Sequence, residues 1–531
     1  MSLLLPPALW LLRAASQPAW RRMQQALRQP AAVQAATLDR ILAASARSEH
    51  GRGLGLQRGD PRRVFSGLAP VDYAALRPLI EADLAGGGHR FSAERPLFYE
   101  RSSGSGGAAK HLPYNRALRG AFDRMFRIWA CDLLMHGLAP RSGRCFMSVS
   151  PPLLGRGQAA DGTPIGSRDD TAYLGGPLAA LLRPFLVLPQ DALALRDGDD
   201  FKDVLAAALL AEPALEVVSV WNPGFWLILL DHALARLDAL GPELRAGRMR
   251  RGGRDFRFAP IPAARLATVA RAQQDGWRAV WPRLQLISCW QDAESARPAA
   301  ALRAGFPGVA VQGKGLLATE GPVTVPLAGA PAPVPLLGEV YLELEMADGS
   351  LLPLERWRDG DRGEIVLTTP GGLLRYRLRD RVAVAGFHHA APCLQFLGRA
   401  GGVVDLVGEK LAEDFVRGVL AGLHPAAAVL TLCPLAEAAP PHYALLTDLA
   451  ADGLAERVDA ALAASPHYRV ARALGQLGAV RTAAQAAMAA TLHAALAAGG
   501  MQEGNIKARA LLDVEQARRV WAALPQPARP R

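Results

Sequence analysis

A two-part α/β fold is predicted for this chain. A large N-terminal domain spans residues 1–398, with a β-rich, barrel-like subdomain at about 338–398, and a small α+β domain follows at 399–531. Three observations predict it. Short apolar runs such as VVSVW (Val217–Trp221) and LQLISCW (Leu284–Trp290) alternate with stretches of helical periodicity, the pattern of a largely parallel sheet flanked by helices. From about Gly338 the strand-like segments GEVYLELE, GEIVLTT, LLRYRLRDRVAVAGF and CLQFLGR follow one another directly. A glycine-rich joint, Gly398-Arg-Ala-Gly-Gly402, then precedes a last segment of about 130 residues, an ordinary size for a small domain.

Taken in order, residues 8–48 place Leu, Ala and Trp at helical spacing among arginines and glutamines and predict two helices. Gly51–Arg63 is a loop, and Asp72–Arg77 restarts a helix. Pro96–Glu100 (PLFYE) is a short strand feeding the segment RSSGSGGAAKHLPY, Arg101–Tyr114. A long helix from about Asn115 to His136 aligns Leu118, Phe122, Met125, Phe126 and Trp129, the stripe of a core-facing helix. Phe146–Val149 predicts a strand, Leu174–Pro177 a turn and Asp200–Leu210 a helix. The strand Val217–Trp221 leads through NPGF into the helix WLILLDHALARL. A helical stretch through Leu266–Val280 precedes the strand Leu284–Trp290, and a short helix around Pro298–Ala304 leads into PGVAVQGKGLLATEG. The last segment predicts an Ala-rich helical region, strands near Val429–Leu432 and Tyr443–Thr447, and helices to about Ala498.

Composition narrows the function. Half of the 531 residues are hydrophobic and 21% are charged, as in an ordinary globular protein. The net charge of +11 is carried by scattered arginines, with no basic or aromatic RNA-binding motif, so nucleic acid is not an expected partner. Five cysteines lie far apart with no CxxC pair, against a zinc or disulfide framework and for a reducing compartment. The first twenty residues lack a basic start, and Pro6-Pro7 splits their apolar run, unlike a secretory signal. No later run reaches the roughly 18 apolar residues of a membrane helix, so a cytoplasmic protein is expected. Only five of the 60 Lys+Arg are lysines: Lys110, Lys202, Lys314, Lys410 and Lys507. A lysine kept in so arginine-biased a chain marks a place where a compact ammonium is wanted and a planar guanidinium is not.

Five stretches carry candidate chemistry. In Arg101–Tyr114 three serines and three glycines crowd into six residues after a strand, with Lys110 following, and can present N–H groups, hydroxyls and a positive charge to a polyphosphate. Such a loop also serves as a plain connection, and it lacks the GK[ST] ending of a P-loop. In GKGLLATEG, Thr319 and Glu320 sit in a loop, where a lone carboxylate beside phosphates can hold Mg²⁺ or simply face solvent. In TTPGGLLRYRLRDRV, Tyr376, Arg377 and Asp380 follow a Gly-Gly turn, either as nucleotide contacts or as the charged face of a strand. FLGRAGGVVDLVGEKLAEDFV holds Arg399 and Lys410 in a hinge or helix start, and GNIKAR holds Lys507.

In this order the five stretches resemble the adenylate-forming enzyme superfamily, and more closely the auxin-responsive acyl-acid amido synthetases, the Gretchen Hagen family, in their bacterial form. SSGSGGAAKHLPY is similar to the family's phosphate loop, GLLATEG to its second nucleotide motif and TTPGGLLRYRLRDRV to its third. VWNPGFWLILLDHAL and WPRLQLISCW also look like family segments, so the resemblance covers nearly the whole chain. It implies a large adenylate-forming domain, a mobile C-terminal lid, and a ligase that uses ATP and Mg²⁺ to adenylate a carboxylic acid and pass the acyl group to an amine, typically an amino acid. It further implies phosphate contacts from Ser102, Ser103 and Ser105 with Thr319 in support, Mg²⁺ on Glu320 and ribose on Asp380. Arg399 and Lys410 then lie near the nucleotide, and Lys507 reaches the α-phosphate. Tyr376 either stacks near the adenine or packs the strand. Two rivals stay open: an adenylating ligase that uses coenzyme A or a carrier-protein thiol, and a non-catalytic nucleotide-binding protein of the same fold. The chain departs from the family at Gly106, at Ala108-Ala109, in the lack of an aromatic beside ATEG, and at Arg379, where relatives usually carry glycine.

Overall fold

Four parallel strands form the centre of the first α/β layer, in the order Ala310–Gly313, Leu286–Cys289, Leu215–Ser219, Arg144–Met147. Leu286–Cys289 (LISC) and Leu215–Ser219 (LEVVS) are buried along their whole length, which is why their sequences are mostly apolar without a regular alternation. The computed structural model describes residues 5–86, 90–103, 109–138, 143–147, 157–166, 185–195, 197–400, 402–423, 429–448, 452–485, 488–498 and 509–524. Leu174–Pro177, Ser105 and Lys507 lie outside them.

The chain divides into two compact units, one of residues 1–102, 110–196 and 200–398, the other of 103–109, 197–199 and 399–531. In the first, helices Leu5–Ala26 and Pro30–Ser45 cover the predicted 8–48 region. Gln34 docks the second of these: its buried amide donates to the Leu337 and Val340 carbonyls at 2.7 and 2.8 Å and accepts from Leu342 N–H at 3.0 Å. Helix Arg116–Met135 starts on Asn115, whose Oδ1 accepts from Leu118 N–H at 2.8 Å. Its buried stripe is Leu118, Phe122, Met125 and Ile128, so Phe126 and Trp129, expected on that face, are only half-buried at its edge. The stretch expected to be one helix through Leu266–Val280 is instead three short pieces, Ala263–Ala270, Ala272–Asp275 and Trp277–Ala279. Gly276, at φ +84°, ends helical geometry between the last two.

The β-rich region is a five-stranded sheet in the order Leu351–Pro353, Tyr341–Glu345, Arg362–Thr368, Tyr376–His388, Ala391–Arg399, with the first three pairings antiparallel. Its inner face joins Leu342, Ile365, Leu367 and Tyr376 to Tyr114, Leu118 and Phe122 in one core.

The second unit is built on Leu430–Leu435 antiparallel to His442–Thr447, which pairs in parallel with Arg481–Ala484. That last strand is too short and Ala-rich to stand out in the sequence. Helices Glu413–Leu423, Leu454–Leu462, Pro466–Ala473 and Val514–Ala523 belong to the same unit. No helix among the described residues is long and apolar enough to cross a membrane.

Candidate active site

Glu320 stands on a hairpin. Leu317 pairs with Pro322 and Ala318 with Gly321, so Thr319 and Glu320 are the two residues of the turn. The turn is anchored by Tyr114, whose hydroxyl donates to the Thr319 carbonyl at 2.5 Å. Glu320 is buried, and its Oε1 accepts from the Tyr376 hydroxyl at 3.1 Å. The Lys110 ammonium lies 4.0 Å from the same oxygen and donates to Tyr376 Oη at 3.3 Å. It also faces the rings of Tyr73 and Tyr376, with 5.6 and 6.0 Å to the centroids. Lys110 is on strand Ala109–Tyr114, immediately after the Ser/Gly loop, and Tyr376 opens strand Tyr376–His388. Three motifs far apart in sequence thus meet at one carboxylate.

The neighbouring strand explains Asp380. Glu364 faces Arg381 and Val366 faces Arg377, so Leu378, Arg379 and Asp380 bulge against a single residue of the partner strand. Bulges beside functional sites re-aim side chains. Tyr376, Leu378 and Asp380 are buried while Arg377 and Arg379 are half-exposed, so the carboxylate of Asp380 shares the face that carries Tyr376. Arg379 holds φ +64°, the left-handed backbone that glycine adopts without cost. Its guanidinium is fixed by two 3.0 Å bonds to Asp72. Arg375, at φ +46°, braces the start of the motif: it pairs with Glu343 at 2.8 and 2.9 Å and donates to the carbonyls of Ser66 and Leu68 at 3.0 and 2.6 Å.

Of the residues expected from sequence, Glu320 and Tyr376 are brought together, and Thr319 contributes its backbone carbonyl to the turn. Tyr376 is fully packed in the strand, its ring among core side chains and its hydroxyl on Glu320. Ser102 and Ser103 end strand Phe98–Ser103, which runs further into the motif than Pro96–Glu100 predicted. Arg399 closes strand Ala391–Arg399. Lys110, expected from the sequence as the cation beside the Ser/Gly loop, takes part in this cluster, whereas Tyr114 and Tyr73 were not expected there.

In the second unit Lys410 has φ +48° and follows the buried Glu409. The Glu409 carboxylate accepts from Leu406 N–H and Val407 N–H, each at 2.8 Å, and from the Tyr443 hydroxyl. Burial, with Asp405 adding its charge, pushes the acid up to about 7. Burial and then the Lys410 charge lower His467 from 6.5 to about 4. A histidine held neutral by the fold contributes stability above 6.5 that is lost as pH falls through 4. For His467 this is roughly 3 kcal/mol. The stability difference between wild type and His467→Asn is therefore expected to shift by about that amount against wild type between pH 7 and pH 4, as read by urea unfolding. A difference that does not change with pH contradicts the neutral, buried imidazole.

One carboxylate with a second oxygen to spare fits a Mg²⁺ ion that takes its other ligands from phosphates and water. Glu320 meets this: Oε1 is engaged, and Oε2 has no partner among the described residues. No group of three or more His, Cys, Asp or Glu capable of an all-protein metal site occurs among the described residues. Burial raises the thiols of Cys145 and Cys433 to about 12 and of Cys289 to about 11, so none of these is an activated nucleophile.

Residues 19–311 match the GH3 family N-terminal domain, and residues 340–399 match the GH3 family central domain. The chain belongs to the GH3 family. Among GH3 relatives it is similar to the probable indole-3-acetic acid-amido synthetase GH3.2 of Oryza sativa subsp. japonica, 24% identical over 426 residues covering 72% of this chain and 68% of that one. A shorter stretch of 70 residues is 44% identical to the probable indole-3-acetic acid-amido synthetase GH3.12 of the same subspecies. That stretch spans 12% of this chain and 11% of the relative's length. The fold matches the solved structure of AtGH3.15 acyl acid amido synthetase in complex with 2,4-DB with a TM-score of 0.65, at 18% identity and over 96% of both chains. The two-part α/β fold expected from the sequence is thus the GH3 fold.

Proposed function

We propose that this GH3 protein is an ATP-dependent acyl-acid amido synthetase. The observation that carries the reading is the Glu320 hairpin turn, where the segment after the Ser/Gly loop, through Lys110, and the third motif, through Tyr376, converge on one carboxylate.

In the proposed first step an oxygen of the substrate carboxylate attacks the α-phosphorus of ATP. The bond to the β-phosphate oxygen breaks, giving an acyl-adenylate and pyrophosphate. In the second, an amine nitrogen attacks the acyl carbon, AMP leaves with the C–O electron pair, and the nitrogen loses its proton as the amide forms. A free carboxylate is a poor electrophile, and adenylation supplies the leaving group. The protein's share is positioning and stabilisation of developing negative charge. Ser102, Ser103 and Ser105 grip the phosphates, with Thr319 in support. Glu320 holds Mg²⁺, which when bound neutralises phosphate charge, and Tyr376 and Lys110 fix the Glu320 carboxylate for that task. Asp380 binds the ribose hydroxyls. Arg399, Lys410 and Lys507 act from the 399–531 lid, with Lys507 on the α-phosphate. The scattered free cysteines favour a reducing, cytoplasmic setting.

The test is exchange of labelled pyrophosphate into ATP across a panel of aryl, indolyl and fatty acids with Mg²⁺, followed by product analysis with amino acids. Exchange with at least one acid and an amide product are expected. A thioester with coenzyme A in place of the amide would reassign the acceptor. ATP binding without exchange across the whole panel would overturn the reading. Lys507→Ala is expected to lower exchange on the order of a hundredfold while ATP binding stays within a few-fold. Exchange at the wild-type rate removes Lys507 from the first step.

A further inference from the structure

Helices Leu5–Ala26, Pro30–Ser45 and Arg116–Met135, all in the first unit, border a cavity of about 780 Å³ together with the segment 336–339. Small residues leave the space open: Ala19 and Ala26 stand two turns apart on one face of the first helix, and Gly338 carries no side chain. The size falls within the roughly 300–1,000 Å³ of small-molecule pockets. Its inner wall is apolar, with Met23, Ala26, Ile128 and Leu336 buried and Val33 half-buried. Its charge is one-sided, because Arg22, Arg28, Arg40 and Arg124 all line it. Glu339 is the one carboxylate on its wall among the described residues, and Arg124 already grips it through Nε and Nη2, each at 2.5 Å. Arg40 leans on a neutral group, donating through Nη2 to the Gly338 carbonyl at 2.7 Å. Arg22 and Arg28 are exposed, and their guanidinium groups have no ion pair or hydrogen bond among the described residues. No member of the Glu320 cluster lines this cavity.

We propose that this cavity is a second ligand site, which takes an organic acid by its carboxylate on Arg22 and Arg28 and lays the acid's apolar body against Met23, Ile128 and Leu336. Exposed arginines alone are ordinary solvated charges, and the apolar wall behind them is what sets this group apart. A small inorganic anion would fill a fraction of the space and gain nothing from that wall, whereas a neutral apolar molecule would leave the arginines unused. A molecule with one anionic end and an apolar body uses both. Guanidinium is planar and matches a carboxylate with two parallel bonds, as Arg124 does with Glu339 on the same wall. Because Glu339 is already neutralised there, it offers little repulsion to an incoming carboxylate. Under the amido-synthetase reading two molecules have this chemistry, the acid that is consumed and the amino acid conjugate that is released. Only that choice of source rests on the reading; the site does not.

The test is calorimetric titration of the full chain, without ATP, with decanoate, N-decanoylglycine, decanamide and acetate. At least one of the two long acids is expected to bind on the order of tenfold tighter than decanamide, which lacks the charge, and than acetate, which lacks the body. Arg22→Gln with Arg28→Gln, both at exposed positions, is expected to weaken that binding by about tenfold or more. Val33→Trp keeps the charges but fills the apolar side, and is expected to weaken it as well. Tighter binding of decanoate names the free acid as the source, and tighter binding of N-decanoylglycine names the conjugate. Long acids that bind the arginine double variant as they bind wild type overturn the proposal, and so does decanamide binding as tightly as decanoate. Pyrophosphate exchange with decanoate in the double variant is expected to stay within a few-fold of wild type. A KM for decanoate that rises in step with the lost binding would make this cavity the acyl pocket and overturn the second site. Arginine-dependent binding in a wild type that shows no exchange with any acid supports the site and counts against the adenylating reading instead.

Discussion

Glu320→Gln is expected to lower pyrophosphate exchange by about two to three orders of magnitude while leaving the fold intact. Glutamine keeps an oxygen for the Tyr376 hydroxyl, now 3.1 Å from Glu320 Oε1, so the hairpin turn and its Tyr114 anchor remain. What disappears is the negative charge, and with it both the attraction for the Lys110 ammonium 4.0 Å away and the proposed ligand for Mg²⁺. The loss should be partly relieved by raising Mg²⁺, because a weakened ligand set is refilled by mass action. A loss below about threefold with normal Mg²⁺ dependence would show that Glu320 is a packing residue after all.

Arg375→Met is expected to destabilise the protein by about 3–5 kcal/mol, because it leaves Glu343 as a buried charge without its partner. The carbonyls of Ser66 and Leu68 lose their donors as well. Adding Glu343→Leu removes the stranded charge and should recover a large part of the loss, since an apolar pair of similar volume often replaces a buried ion pair at little net cost. Urea unfolding of the two variants checks both statements. A double variant no more stable than Arg375→Met would place the main contribution in the carbonyl contacts. Arg375 opens the segment that carries Tyr376 and Asp380, so the milder double variant also tests whether the site survives without this brace.

Much of the fold was legible because its signals are local. Burial on both faces makes Leu215–Ser219 and Leu286–Cys289 mostly apolar without alternation, and the antiparallel meander shows as successive strand segments with no α-helix between. The broken helix at 263–279 was misread because its apolar spacing continues across Gly276, whose positive φ interrupts the backbone without interrupting the pattern. The strand Arg481–Ala484 was missed because four residues with two alanines carry little periodicity.

The amino-acid sequence alone determined the α/β character, the order of the candidate nucleotide motifs, the GH3 resemblance and the candidacy of Glu320. Each of these is a property of residue type and spacing within a few turns of chain. Only the tertiary structure decided which side chains meet. Lys110 and Glu320 are 210 positions apart and Tyr376 another 56, and they converge because a strand, a hairpin turn and a strand end pack on one core. The bulge that sets Asp380 arises from an offset between two strands, and the contacts of Lys314 join the ends of two strands to the side of helix Arg116–Met135. Register and loop closure depend on the whole core being assembled, so neither is written in any single stretch of residues.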